Sequence, residues 1–140
     1  MYVESEKCEE RCGSMQKIQL ICFPYAGGSA AFFYGLKEEL QDQIEVTAAE
    51  YAGHGTRRKE SYYHTFDELV QDMTDMVRKV RNPEMPYAIL GYSMGSVVAY
   101  EVWKTYRKQG WELPVHMFVA SHRPPHLPLQ GNLNADSSEE

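Results

Sequence analysis

The chain has 140 residues, 43% of them hydrophobic, and a formal charge of −6. That length suits one domain with a modest core. The acidic balance, with no compensating Lys/Arg cluster, argues against a nucleic-acid or anionic-membrane surface, and no apolar run approaches the length of a membrane span.

Residues 1–16 alternate charge and polarity, lack the apolar middle of a signal peptide and read as a disordered leader, with Met15 a second candidate start. A cytoplasmic location is the default. Cys8 and Cys12 are spaced C-x-x-x-C in this leader, but no second Cys/His pair with ligand spacing follows, so neither a metal site nor a disulfide framework is expected.

Residues 17–23 (KIQLICF) read as a buried strand, with Cys22 a small hydrophobe. Pro24 stops it, and Tyr25-Ala26-Gly27-Gly28-Ser29 follows. A double glycine directly after a strand lets the backbone approach a ligand and aim amides into a site. The same residues suit a plain βα turn, and taken alone they leave both readings open. Ser29 is placed to cap a helix in which Phe32, Leu36 and Leu40 recur at helical spacing through Gln41.

Residues 44–49 read as a second strand, leading into the glycine-rich loop 50–58. His54 in that loop is a candidate base, although a histidine there is more often a turn or surface residue. Tyr62, Tyr63 and His64 read as core edge or surface. Thr65-Phe66-Asp67-Glu68 is a capping box opening a helix whose apolar face carries Phe66, Leu69, Val70, Met73, Met76, Val77 and Val80. Asn82-Pro83 ends it.

A third strand over 87–90 feeds a helix over 94–109, with Val97, Val98 and Val102 inward and Gly110 as its stop. Residues 115–120 read as a fourth strand in which His116 is half-buried. The segment 121–128 is proline-stiffened, and 130–140 is polar enough to read as disordered. The alternation β-α-β-α-β-α-β predicts a parallel α/β sheet of about four strands with helices on both faces. Ligands in such sheets bind at the carboxyl ends of the strands, where the glycine loops lie.

The stretch Gly91-Tyr92-Ser93-Met94-Gly95 between the third strand and its helix has the form G-x-S-x-G, the nucleophile elbow of α/β-hydrolases. The chemistry requires a serine on a sharp strand-to-helix turn. Gly91 and Gly95 leave room where side chains would meet the turning backbone, and the helix start beneath the serine favours a developing oxyanion.

Four segments together resemble the type II thioesterases of nonribosomal peptide and polyketide synthesis: CFPYAGGSA (22–30), AAEYAGHGTR (48–57), GYSMGSVVAYEV (91–102) and VASHRPPHLP (119–128). The resemblance spans roughly residues 17–128. It departs at Tyr92, where the family usually has histidine, and at Ala52-Gly53-His54-Gly55, where it commonly reads PGRG. It implies that Ser93 is the nucleophile and that the backbone amides of Met94 and Ala26 form the oxyanion hole. The substrate it implies is an acyl or peptidyl group on the phosphopantetheine thiol of a carrier domain, with no cofactor of the chain's own.

In this fold the acid and histidine of the triad follow the serine in later strands. The resemblance therefore implies a partial core over 17–123 that lacks both, with an extended, disordered tail over 124–140 and the fourth strand left as an open edge. His122 and His126 follow that strand but match no base position, and Asp136 lies in the tail. The expected function is a thioesterase-type hydrolase, inactive or incomplete as these 140 residues and active only in a longer ancestral form or with a complementary C-terminal polypeptide. The alternatives are a non-catalytic remnant or carrier-binding fragment and, third, a general carboxylesterase.

Overall fold

The computed structural model describes residues 16–122. The leader and tail expectations, with Cys8, Cys12, His126 and Asp136, lie outside the described residues. Gln16, the last residue of the expected leader, is among the described residues, and its side-chain amide donates to the Glu84 carbonyl.

The elements in chain order are β1 (Ile18–Phe23), a 3₁₀ turn (Ala30–Phe33), α1 (Tyr34–Leu40), β2 (Ile44–Ala48), a 3₁₀ turn (Gly55–Arg57), α2 (Phe66–Val80), β3 (Tyr87–Tyr92), α3 (Met94–Gln109) and β4 (His116–Ala120). The four strands form one parallel sheet in the order β2-β1-β3-β4. From β1 the chain moves outward to β2, then returns past β1 to reach β3. The loops leaving β1 and β3 therefore diverge, which opens a crevice at their carboxyl ends.

The period-two alternation of the strands divides the core. Ile21, Phe23, Tyr87 and Ile89 pack with Met73 and Val77 of α2 and with Val98 and Val102 of α3. On the opposite face, Leu20, Cys22, Val46 and Ala88 pack with Phe33 and, at the margin, with Leu36 and Leu40 of α1. Burial of the Cys22 thiol pushes its pKa up to about 12, so it is a packed hydrophobe and not a competing nucleophile.

Several local expectations change. The helix expected after Ser29 begins as a 3₁₀ turn, whose three residues per turn put Ala30 and Phe33 inward and leave Phe32 at 46% exposure. Ser29 makes no capping bond; the Glu50 carboxylate accepts from the Ala30 amide at 3.0 Å instead. The capping box forms at Thr65, whose hydroxyl accepts from the Glu68 amide at 3.1 Å, but the Glu68 carboxylate reaches back to His64 N–H, one residue further upstream. Phe66 is exposed at the start of the α2 stripe, Val97 is only half-buried, and His116 is exposed rather than half-buried because β4 has a neighbour on one side only.

Gln19 was read simply as part of an apolar strand. It is buried, donating to the Val80 carbonyl at 2.9 Å and accepting from the Asn82 amide at 2.8 Å, so it closes the last turn of α2. Gly110 stops α3 in the left-handed conformation at φ 70°, as expected. No described helix is long and apolar enough to cross a membrane.

Candidate active site

Ser93 stands between the last residue of β3 and the first of α3 with φ 53° and ψ −118°. That is a left-handed, strained setting for a residue with a side chain, and it is the sharp turn the motif demands. The two glycines are imposed by contact. A Cβ on Gly91 would come within 3.0 Å of the Gly95 carbonyl and Ser96 Cα, and one on Gly95 would do the same to the Phe23 carbonyl. The elbow thus packs backbone against backbone, both within itself and on β1.

The strain is held from several sides. The Ser93 amide donates to the Ala120 carbonyl at the end of β4 at 2.8 Å, and the Ser96 amide donates to the Ser93 carbonyl at 2.9 Å. The buried Ser96 hydroxyl donates to the Gly91 carbonyl at 2.8 Å and lies 3.3 Å from that of Ala120. Sequence reasoning passed over Ser96; its place one turn into an otherwise apolar helix face was the available signal. The Ser93 hydroxyl makes no capping bond to α3.

The register pairs Phe23 of β1 with Gly91 of β3, so the Tyr25–Gly28 turn lies beside the elbow. Gly28 N–H donates to the Tyr25 carbonyl at 2.9 Å, and Gly27 at the third position has φ +77°, the value a type II turn requires there. The Ala26 amide donates to no acceptor among the described residues. Met94 is the first residue of α3, so its amide has no intrahelical acceptor. Ala26 and Met94 line one cavity of about 370 Å³, with His54, His64, Tyr62 and Phe66 on its other walls. A larger cleft of about 500 Å³ follows the open edge of β2 between Lys17 and Glu50 and touches neither turn.

Two consecutive residues at the exit of β2 hold the two ends of the Pro24-to-Ala30 loop. The Tyr51 hydroxyl donates to the Pro24 carbonyl at 2.7 Å, and the Glu50 carboxylate accepts from Ala30 N–H while reaching Thr56 with its other oxygen at 3.3 Å. Burial, with a smaller contribution from Tyr63, raises the Tyr51 pKa and keeps this hydroxyl a donor. His54 Nδ1 lies 3.0 Å from the Ala52 carbonyl, and its ring packs edge-on to Tyr51 and Tyr62. The loop beneath it is fixed by Arg57, which donates to the Glu50 carbonyl at 2.9 Å and pairs with Asp72 at 2.8 Å. Tyr63 donates to the same Asp72 carboxylate and accepts from Ala52 N–H, its pKa pushed up to about 12 mainly by burial.

His122, the last described residue, follows β4 at the same end of the sheet as Ser93. Among the described residues no three His, Cys, Asp or Glu side chains cluster as a metal would need.

A parallel sheet whose switch point carries a strained serine between strand and helix, with a glycine turn alongside, defines an α/β-hydrolase fold. Residues 18–140 match the family model of the thioesterase domain, and the chain belongs to that family. It is 32% identical over 115 residues to the gramicidin S biosynthesis protein GrsT of Aneurinibacillus migulanus, a match covering 82% of this chain and 44% of GrsT. Among solved structures it is similar to ClbQ of the colibactin NRPS/PKS pathway (33% identity, TM-score 0.75, 83% of this chain and 48% of that one). It is also similar to BorB, a type II thioesterase from the borrelidin biosynthetic cluster (32% identity, TM-score 0.66, 76% and 42%). The chain thus spans less than half the length of each of these three relatives.

Proposed function

We propose that these residues form the nucleophile and oxyanion-hole half of a cytoplasmic thioesterase that hydrolyses acyl or peptidyl groups from the phosphopantetheine thiol of a carrier domain. The observation that carries this reading is the strained Ser93, set at the strand–helix junction by two glycines where any Cβ would overlap neighbouring backbone. In the reaction the Ser93 oxygen attacks the thioester carbonyl carbon. The Ala26 and Met94 amides receive the developing oxyanion. The C–S bond then breaks, the thiol leaves with a proton, and water hydrolyses the acyl-serine to release the acid.

The serine needs a base to take its proton, and in the α/β-hydrolase fold the acid and the histidine come from strands later than these four. A base and an acid from the rest of the domain, on a longer form of this chain or on a complementary C-terminal polypeptide, would complete the triad. By themselves these 140 residues are expected to accelerate thioester hydrolysis at most about 10³–10⁴-fold over water, the level that an oxyanion hole and binding sustain without a triad. Fast turnover by the isolated chain that disappears in Ser93→Ala would overturn this incompleteness. The nucleophile assignment is tested separately with a p-nitrophenyl acyl ester, which is reactive enough to acylate an unassisted serine. Mass spectrometry should find the acyl group on Ser93 in the wild type and nowhere in Ser93→Ala; acylation of any other residue sinks the assignment.

A further inference from the structure

A third cavity, of about 380 Å³, opens at the other end of the sheet between Arg78, Arg81, Pro83, Tyr106, Trp111 and Glu112. Tyr87, which begins β3, lies beside it, whereas Ser93 follows the end of that strand. At about 3.3 Å per residue the two sites are roughly 20 Å apart.

This cavity holds buried donors without acceptors. Tyr106 is 3% exposed, lines the cavity, and its hydroxyl has no hydrogen-bond partner. Burial raises its pKa, partly offset by Arg81 and Arg78, so it remains an O–H donor at neutral pH. Arg81 is 14% exposed in its side chain, and neither Nε nor Nη2 makes a hydrogen bond of acceptable geometry, although Nη2 lies 2.5 Å from the Glu112 carboxylate. Its guanidinium lies 4.4 Å over the Tyr87 ring, and that of Arg78 lies 4.0 Å over Trp111. With Nη2 ion-paired to Glu112, the unpaired groups are Arg81 Nε–H and the Tyr106 hydroxyl; both can donate, and no unpaired buried side-chain carbonyl or carboxylate accompanies them among the described residues. A buried donor left unpaired is costly, and in native structures it calls for water or a ligand.

We infer that this cavity is a binding site for a small oxyanion, gripped by the Arg81 guanidinium and the Tyr106 hydroxyl. Arg78 and Arg81 are met here by Glu112, which reaches in from the rim with its side chain 65% exposed, and by Asp75, which acts on Tyr106 from α2. The groups left unpaired all donate, so a ligand that only accepts matches them, whereas water would bring donors of its own. The stacked rings fix both guanidinium planes, so little rotamer freedom is lost on binding. Phosphate and carboxylate offer the same acceptor geometry to an arginine fork.

The test is thermal unfolding of the 140-residue chain in inorganic phosphate, sulfate or acetate, balanced with chloride to constant ionic strength. A saturable rise in Tm is expected in the wild type. A response to phosphate and sulfate alone defines a tetrahedral-oxyanion site; an equal response to acetate defines a carboxylate site. Tyr106→Phe removes only the orphaned hydroxyl, so its Tm without anion should hold or rise while its Kd for the anion weakens about tenfold, the worth of one hydrogen bond to a charged group. Arg81→Gln should abolish the response, and if that variant does not fold, Tyr106→Phe alone decides. No response beyond that in chloride, or an undiminished one in Tyr106→Phe, overturns the inference.

Discussion

The two glycine turns at the carboxyl ends of β1 and β3 lie side by side but are shaped by different means. In the elbow, backbone meets backbone: Gly91 and Gly95 each exclude a Cβ by contact with main-chain atoms. In the Pro24-to-Ala30 loop, Gly27 has open space around its missing Cβ and is needed for its φ of +77°, while Gly28 faces only the ring of Tyr25. That loop takes its course from Tyr51 and Glu50, twenty or more residues further along the chain. A turn made of its own backbone resists displacement, and one held by distant side chains can be released one tether at a time.

The largest expected effect follows from the elbow. Gly95→Ala must push the Phe23 carbonyl and with it the end of β1, and Gly91→Ala must move the first turn of α3. The helix propensity gained at position 95, about 1 kcal/mol, cannot offset such overlap. Each variant should lose at least about 4 kcal/mol, a large fraction of the 5–15 kcal/mol that holds a typical domain together. Urea unfolding measures it. A loss under 1 kcal/mol at either position would mean the elbow yields as readily as a surface turn.

Releasing a tether of the neighbouring loop should cost less and act locally. Tyr51→Phe keeps the ring in the core but leaves the Pro24 carbonyl without its donor, a loss of about 1–3 kcal/mol for a buried acceptor. Amide exchange should quicken at Gly28, whose N–H closes the turn on Tyr25, while Ser93 and Ser96, anchored on Ala120 and within α3, keep their protection. Equal quickening at both turns would show that they move as one body, and the contrast between them would fail.

The same division explains what could be read in the sequence. The elbow was legible because its requirements are local: five residues, an apolar strand before them and a helix after. The four strands, α2 with its stripe, and the Gly110 stop were legible for the same reason. The phase of the 30–40 segment was not, because a 3₁₀ start moved Phe33 inward in place of Phe32, and pattern matching assumes 3.6 residues per turn. Nor was Glu50 as the partner of Ala30 N–H, since nothing local marks a carboxylate twenty residues away. The residues alone left 25–29 open between site and plain turn. Its position beside the elbow depends on β1 pairing with β3, a non-local fact.

The smallest effects lie within the loop's own glycines, and they separate conformational need from steric need. At Gly27 alanine would have room but would have to adopt φ +77°, which costs about 1–2 kcal/mol for a left-handed L-residue. The smaller entropy of its unfolded chain returns about 0.4–1 kcal/mol, so the net loss should be near 1 kcal/mol. At Gly28 the φ is ordinary, and the new methyl would stand 3.0 Å from a tyrosine ring that is 39% exposed and packs edge-on to Phe32 and Tyr92. Gly28 is itself buried, but that ring can swing outward, so Gly28→Ala should cost under about 1 kcal/mol, the low end of the range for point changes. Near-UV circular dichroism should change as Tyr25 leaves its neighbours. If Gly28→Ala proved as damaging as Gly95→Ala, the Tyr25 ring would have to be as fixed as backbone, and the loop would share the elbow's rigidity.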